Sequence, residues 1–117
     1  MRRITGINSI PSQQLLLRSE TGDRIQFAFN FRPAIMKWYM DVQYRNFTLN
    51  GYRVSAGPNI VQKYFYSLKW GLFVEVIDGF EPFMINDFES GRVNLYILSE
   101  TECREIMQAY QELTDEI

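Results

Sequence analysis

The sequence predicts a small, mostly β domain: an antiparallel barrel or sandwich of about seven short strands, followed by a C-terminal amphipathic helix. Three observations carry that expectation. Apolar residues alternate with polar ones over run after run, as in Phe27, Phe29 and Phe31, then Met36, Trp38, Met40, Val42 and Tyr44. Turn-forming residues separate the runs, at Gly22, Asn50-Gly51, Gly57-Pro58 and Asp78-Gly79. Only after Ser99 does the apolar spacing change from every second residue to every third or fourth.

In chain order, residues 3–7 suit a short edge strand before the turn at Asn8-Ser9-Ile10-Pro11. Gln14–Ser19 and Arg24–Phe31 form a hairpin through Glu20-Thr21-Gly22-Asp23, with Gly22 free to take a positive φ. Arg32-Pro33 interrupts the pairing, because proline has no N–H for a ladder. Ile35–Tyr44 reads as the longest strand. Asn50-Gly51 then reads as a two-residue turn, Arg53–Ser55 as a short strand and Ile60–Phe65 as a further extended piece. Gly71–Ile77 has the composition of a buried strand, residues 80–90 of an apolar but irregular loop, and Arg92–Leu98 of the last strand. Ser99-Glu100-Thr101-Glu102 is a capping box, opening a helix over about residues 100–114. Its apolar stripe is Cys103, Ile106, Met107, Tyr110 and Leu113.

All 117 residues fit one domain, with no linker, repeat or low-complexity segment. Hydrophobic content of 46% and charged content of 22% are ordinary for a globular protein, and nine Phe, seven Tyr and two Trp favour strands. The formal net charge is −2, which does not point to nucleic acid. Its distribution is uneven. Residues 100–117 hold six acids against Arg104, a balance of −5, so the remainder carries +3. A basic body with an acidic tail helix suits head-to-tail contacts between subunits, although a solvated surface is the simpler account and the one the charge pattern favours. No apolar run approaches a membrane span, and the N-terminus lacks the apolar stretch of a secretory signal.

Chemistry is hard to place on this chain. Without histidine, the commonest general base and metal ligand are missing. Cys103, the single cysteine, has no dyad or zinc partner and falls on the apolar stripe, where it packs as a small hydrophobe. No phosphate-cradling glycine motif occurs. Asp78, Glu81, Asp87 and Glu89 concentrate acid in one loop, but bulky apolar residues interrupt them and no calcium-loop spacing results. Basic residues beside aromatics, such as Lys37-Trp38-Tyr39 and Lys63-Tyr64-Phe65-Tyr66, are explained by strand alternation without nucleic acid. The expectation is therefore a non-enzyme with no catalytic residue, metal or cofactor. What does stand out is surplus apolar surface: Phe80, Phe83, Met84, Ile85 and Phe88 crowd one loop. These five, with Tyr110 and Leu113 on the helix, are the candidate protein contacts; ordinary core is the competing reading.

One family resemblance covers residues 4 to 100. Ile10-Pro11-Ser12-Gln13 precedes a first hairpin with Gly22 at its tip, and Trp38-Tyr39-Met40-Asp41 follows. Gly51 and Gly57 flank Tyr52-Arg53-Val54-Ser55-Ala56, and Gly57-Pro58-Asn59-Ile60 leads into an apolar run. Gly71-Leu72, Glu81-Pro82, Asp87-Phe88 and Leu95-Tyr96-Ile97-Leu98-Ser99 complete the order. This succession resembles the small baseplate plug proteins of contractile-tailed bacteriophages. The chain departs from that pattern at Phe88-Glu89, where the family tends to have Leu-Gly, and in a longer helix after Ser99, which suits an extra subunit contact.

The resemblance implies a structural virion protein, assembled in the host cytoplasm, that sits in the tail baseplate and closes or stabilises the channel between tail tube and spike. It implies baseplate, tail-tube and spike or hub proteins as partners, three- or six-fold copies, and no membrane. The alternatives are a small barrel that binds a ligand or nucleic acid, and a tail assembly factor.

Overall fold

The structure, a computed structural model, describes residues 1–115, the last two by their backbone alone. Among the described residues, seven strands form two antiparallel sheets. The larger is a meander of β2 (Ser12–Arg18), β3 (Arg24–Arg32), β4 (Lys37–Tyr44) and β5 (Phe47–Arg53), in that order. In the smaller, β7 (Val93–Leu98) lies between β1 (Arg2–Ile4) and β6 (Gly71–Val76). Two separate sheets around a shared core make this a sandwich, the second of the two architectures the patterning allows.

One core fills the space between the sheets. Ile25, Phe27, Phe29, Trp38, Met40, Val42 and Tyr44 enter it from the meander; Leu72, Val74, Val93, Leu95 and Ile97 enter from the other side. The aromatic residues stack within it, with Phe27 and Phe29 ring centroids 5.5 Å apart and Trp70 edge-on to both Phe27 and Tyr44. The alternation in residues 27–44 is thus met by the chain's own core, with one exception. Met36 is exposed, because the chain between Arg32 and Lys37 is a turn. Ile35 donates to the Arg32 carbonyl and Met36 to the Pro33 carbonyl, and Met36 takes φ 52°. Pro33 forces the reversal there, so Ile35–Tyr44 loses its first two residues and β3, at nine, is the longest strand.

Three further expectations are corrected. Asn50-Gly51 is no hairpin turn; the chain reverses at Arg45-Asn46, with Tyr44 paired to Phe47 and Arg45 at φ 53°. Asn50-Gly51 lies inside β5 as a bulge, with Gly51 at φ 63° donating its N–H to Asp41 Oδ1 at 2.6 Å. The physical reason is register. Leu49 pairs with Val42 and Tyr52 with Met40, an odd spacing on β5 that faces one core only if an extra residue is inserted. Arg53 therefore ends β5 instead of opening a separate strand.

Ile60–Phe65 is not extended. A 3₁₀ turn at Gln62–Tyr64 runs into α1 (Phe65–Leu68), and Val61, Phe65 and Leu68 are buried at helical spacing. The loop over 80–90 contains one turn of helix, α2 (Asp87–Ser90), capped by Gly91 at φ 83°.

Helix α3 (Glu100–Asp115) begins as its capping box requires: Glu102 N–H donates to Ser99 Oγ, and Glu102 Oε1 accepts from Ser99 N–H. Its first half packs on a second, small core of Phe65, Leu98 and Cys103, edged by Phe73, Ile106 and Met107. Asn59 ties this region together. Its Oδ1 accepts from the amides of Val61 and Leu72, and its Nδ2 lies 3.6 Å from Cys103 Sγ.

Candidate docking loop

Between β6 and β7 the chain makes a long excursion, residues 77–92, that is irregular yet tightly held. Its organiser is Arg92, the first residue after the α2 cap. Nε and Nη2 donate to the two carboxylate oxygens of Asp87 at 2.8 and 2.7 Å. Nη1 donates to Asp78 Oδ1 at 2.8 Å and to the Phe80 carbonyl at 3.0 Å, and Nη2 also reaches the Glu81 carbonyl at 3.1 Å. All five guanidinium N–H groups are thereby used, in a fork that lysine cannot reproduce. The same group lies over the Phe83 ring, 4.7 Å from its centroid.

Asp87 completes the frame. It is 1% exposed, and its Oδ2 also accepts from the amides of Phe83 and Met84 at 2.7 and 2.8 Å. Burial alone would raise this carboxyl, but Arg92 and the Met84 and Phe83 amides outweigh it and hold the pKa below its ordinary value. For Asp78, the Phe80 amide is the main influence lowering the pKa, opposed by desolvation and assisted by Arg92. Two of the four loop acids therefore serve the guanidinium. Glu81 instead accepts from the Ala56 amide, and Glu89 from the Ser9 amide and hydroxyl.

The frame divides the five apolar candidates of the loop. Phe88 is buried, 6.3 Å from the Phe29 ring and 5.2 Å from Trp38, and Ile85 packs against the main core. Both hold the loop down, so for them the core reading is the one the burial favours. Phe80, Phe83 and Met84 point outward, Phe80 with 67% of its surface exposed. Trp38 Nε1 donates to the Met84 carbonyl at 3.0 Å, which fixes the loop beside the Pro33–Met36 turn and its exposed Ile35 and Met36. Ile10 joins the same end through the Phe31 amide, which donates to the Pro11 carbonyl. The result is an apolar surface on a preorganised backbone.

The helix candidates lie elsewhere. β7 runs from the loop to α3, so the loop and the start of the helix are at opposite ends of that strand. Beyond Ile106 and Met107, Tyr110 and Leu113 are both exposed, Leu113 by 58%.

The sequence shows the apolar crowding of the loop but not which of its five residues point outward, and it gives no prominence to Arg92. The available signal was a single cation directly after a loop bearing Asp78 and Asp87. Exposed Ile35 and Met36 were also missed, because strand alternation was carried through a turn. No protein-family model matches the chain, and no curated protein matches it either.

Proposed function

We propose that this chain is a structural subunit of a contractile phage tail, a plug-like baseplate protein that closes or stabilises the channel between tube and spike. Its task is steric. A rigid sandwich presents fixed apolar side chains to neighbouring baseplate, tube or spike proteins, in three- or six-fold copies. One observation favours this reading above the others: a fully used guanidinium holds Phe80, Phe83 and Met84 outward. A free-standing protein gains nothing from fixing large apolar groups in water, whereas a docking surface gains affinity from not having to order them on binding. The order of motifs along residues 4 to 100 supplies the particular assembly.

Quantitative mass spectrometry of purified virions tests this directly. A few copies per particle, in a three- or six-fold ratio to a ring of known stoichiometry, are expected; absence from particles would leave an assembly factor in its place. Phe83→Asp is expected to block incorporation while the circular dichroism spectrum stays native. Because the Phe83 ring touches Arg92, Phe80→Asp serves as a second variant, since Phe80 meets the guanidinium through its backbone carbonyl alone.

A further inference from the structure

The outer face of the four-stranded sheet carries cations that no carboxylate among the described residues pairs, although Arg32 lies over the Tyr39 ring at 4.2 Å and Arg18 donates to the Gly22 carbonyl. In the β2–β3 register Arg18 stands directly opposite Arg24, and in the β3–β4 register Arg32 stands opposite Lys37. Arg53 joins them, paired with Tyr39 on the same face. Like charges directly across a strand pair repel and destabilise the sheet. Two such pairs on one face nevertheless stand without a carboxylate between them. Asp41 is the one acid of that face, and its Oδ1 is taken by the Gly51 amide. None of the five cations forms a salt bridge among the described residues. Amid them Leu16 is exposed, in a depression of about 400 Å³ shared with Arg24, Gln26, Gln43 and Arg45.

The complementary surface is on the same chain. Along α3, Glu105, Ala109 and Glu112 recur at helical spacing on one side, with Leu113 beside them, and all four are exposed. Glu100 is paired with Arg104, and Glu102 with the N-terminal amine, but Glu105 forms no salt bridge among the described residues. An acidic edge with an apolar residue next to it matches a cationic face with Leu16 exposed in it. Within one molecule they do not meet: α3 packs through Cys103, Ile106 and Met107 on the side of Leu98 and Phe73, which belong to the other sheet.

We propose that the outer face of the β2–β5 sheet receives helix α3 of a second copy, joining copies head to tail. Such a contact uses two different surfaces, so it repeats from copy to copy and closes into a ring where the rotation allows. The inference does not depend on the tail reading; it rests on charge and register alone.

The test is the association state of the full chain, by sedimentation equilibrium at low salt and at about 0.5 M salt, where surface attraction is screened. Self-association at low salt, weakened on the order of tenfold at high salt, is expected. The double variants Arg24→Glu/Arg32→Glu and Glu105→Lys/Glu112→Lys should each weaken it similarly. An equimolar mixture of the two should restore it, since each reversed surface then meets a reversed partner. In wild-type protein mixed from light and ¹⁵N-labelled chains, a carbodiimide should join Lys37 to Glu105 or Glu112 between chains. A chain that stays monomeric, an association indifferent to both reversals, or cross-links confined to single chains would each overturn the proposal. So would a monomer that binds a DNA oligonucleotide through Arg24 and Arg32, which would make the face a polyanion site.

Discussion

Replacing Arg92 tests how much of the loop depends on one side chain. Arg92→Ala would leave Asp87 buried without its cation, at a cost of about 3–5 kcal/mol in denaturant unfolding. Arg92→Lys should recover only part of that, because an ammonium cannot fork onto both Asp87 oxygens. The pH dependence follows from the depressed Asp87 pKa. A carboxylate whose folded pKa lies below its unfolded value, about 4, stabilises fully above that value and loses its contribution as pH falls through the folded one. Asp87→Asn should therefore be less stable than wild type at pH 7, and the gap should narrow as denaturation is repeated toward pH 3. Cys103 behaves oppositely: burial, assisted by Glu102, Glu20 and Glu100, pushes its thiol up to about 11. At pH 8 the native protein should not react with a thiol reagent such as DTNB, and the denatured chain should react at once. Gly71 is constrained by space alone, since a Cβ there would lie 2.5 Å from Asn59 Nδ2, whose side chain is held by two amides. Gly71→Ala should cost about 1–3 kcal/mol by thermal or chemical unfolding.

Elements were legible in sequence wherever one face is dry and the chain is regular. Phe27 and Phe29, then Trp38, Met40, Val42 and Tyr44, read as core-facing and are buried. The capping box at Ser99 was equally readable, because both of its hydrogen bonds are local. Ser99→Ala should cost about 1 kcal/mol and lower the helical circular dichroism signal on warming. Reading failed where a tertiary demand overrode a local signal. Asn50-Gly51 carries strong turn chemistry, yet the need to place both Leu49 and Tyr52 against β4 turns it into a bulge. Ile60–Phe65 reads as an extended piece, whereas Val61, Phe65 and Leu68 follow a helical period over too short a span to stand out. The candidate docking loop was legible in composition but not in direction. Which of Phe80, Phe83, Met84, Ile85 and Phe88 point outward depends on contacts from Arg92, Trp38 and Phe29, remote in sequence.

At the scale of the whole molecule, folding and the proposed docking role fall to different side chains of the same loop, and that separation can be measured. Phe88 packs between Phe29 and Trp38, edge-on to the latter, so Phe88→Ala should create a cavity under the loop and cost about 3–5 kcal/mol. Phe80 and Met84 meet solvent, so a Phe80→Ser/Met84→Ser variant should unfold within about 0.5 kcal/mol of wild type. If the exposed groups serve assembly, the second variant should be the one excluded from particles although it is as stable as the parent. Phe88→Ala should instead enter particles in proportion to the fraction that remains folded. Comparing unfolding free energy with copies per virion for the two variants therefore decides whether the Arg92 frame exists to stabilise the sandwich or to present a surface. Loss of stability in the serine variant would mean that Phe80 and Met84 belong to the fold, and the docking role of the loop would fall with them.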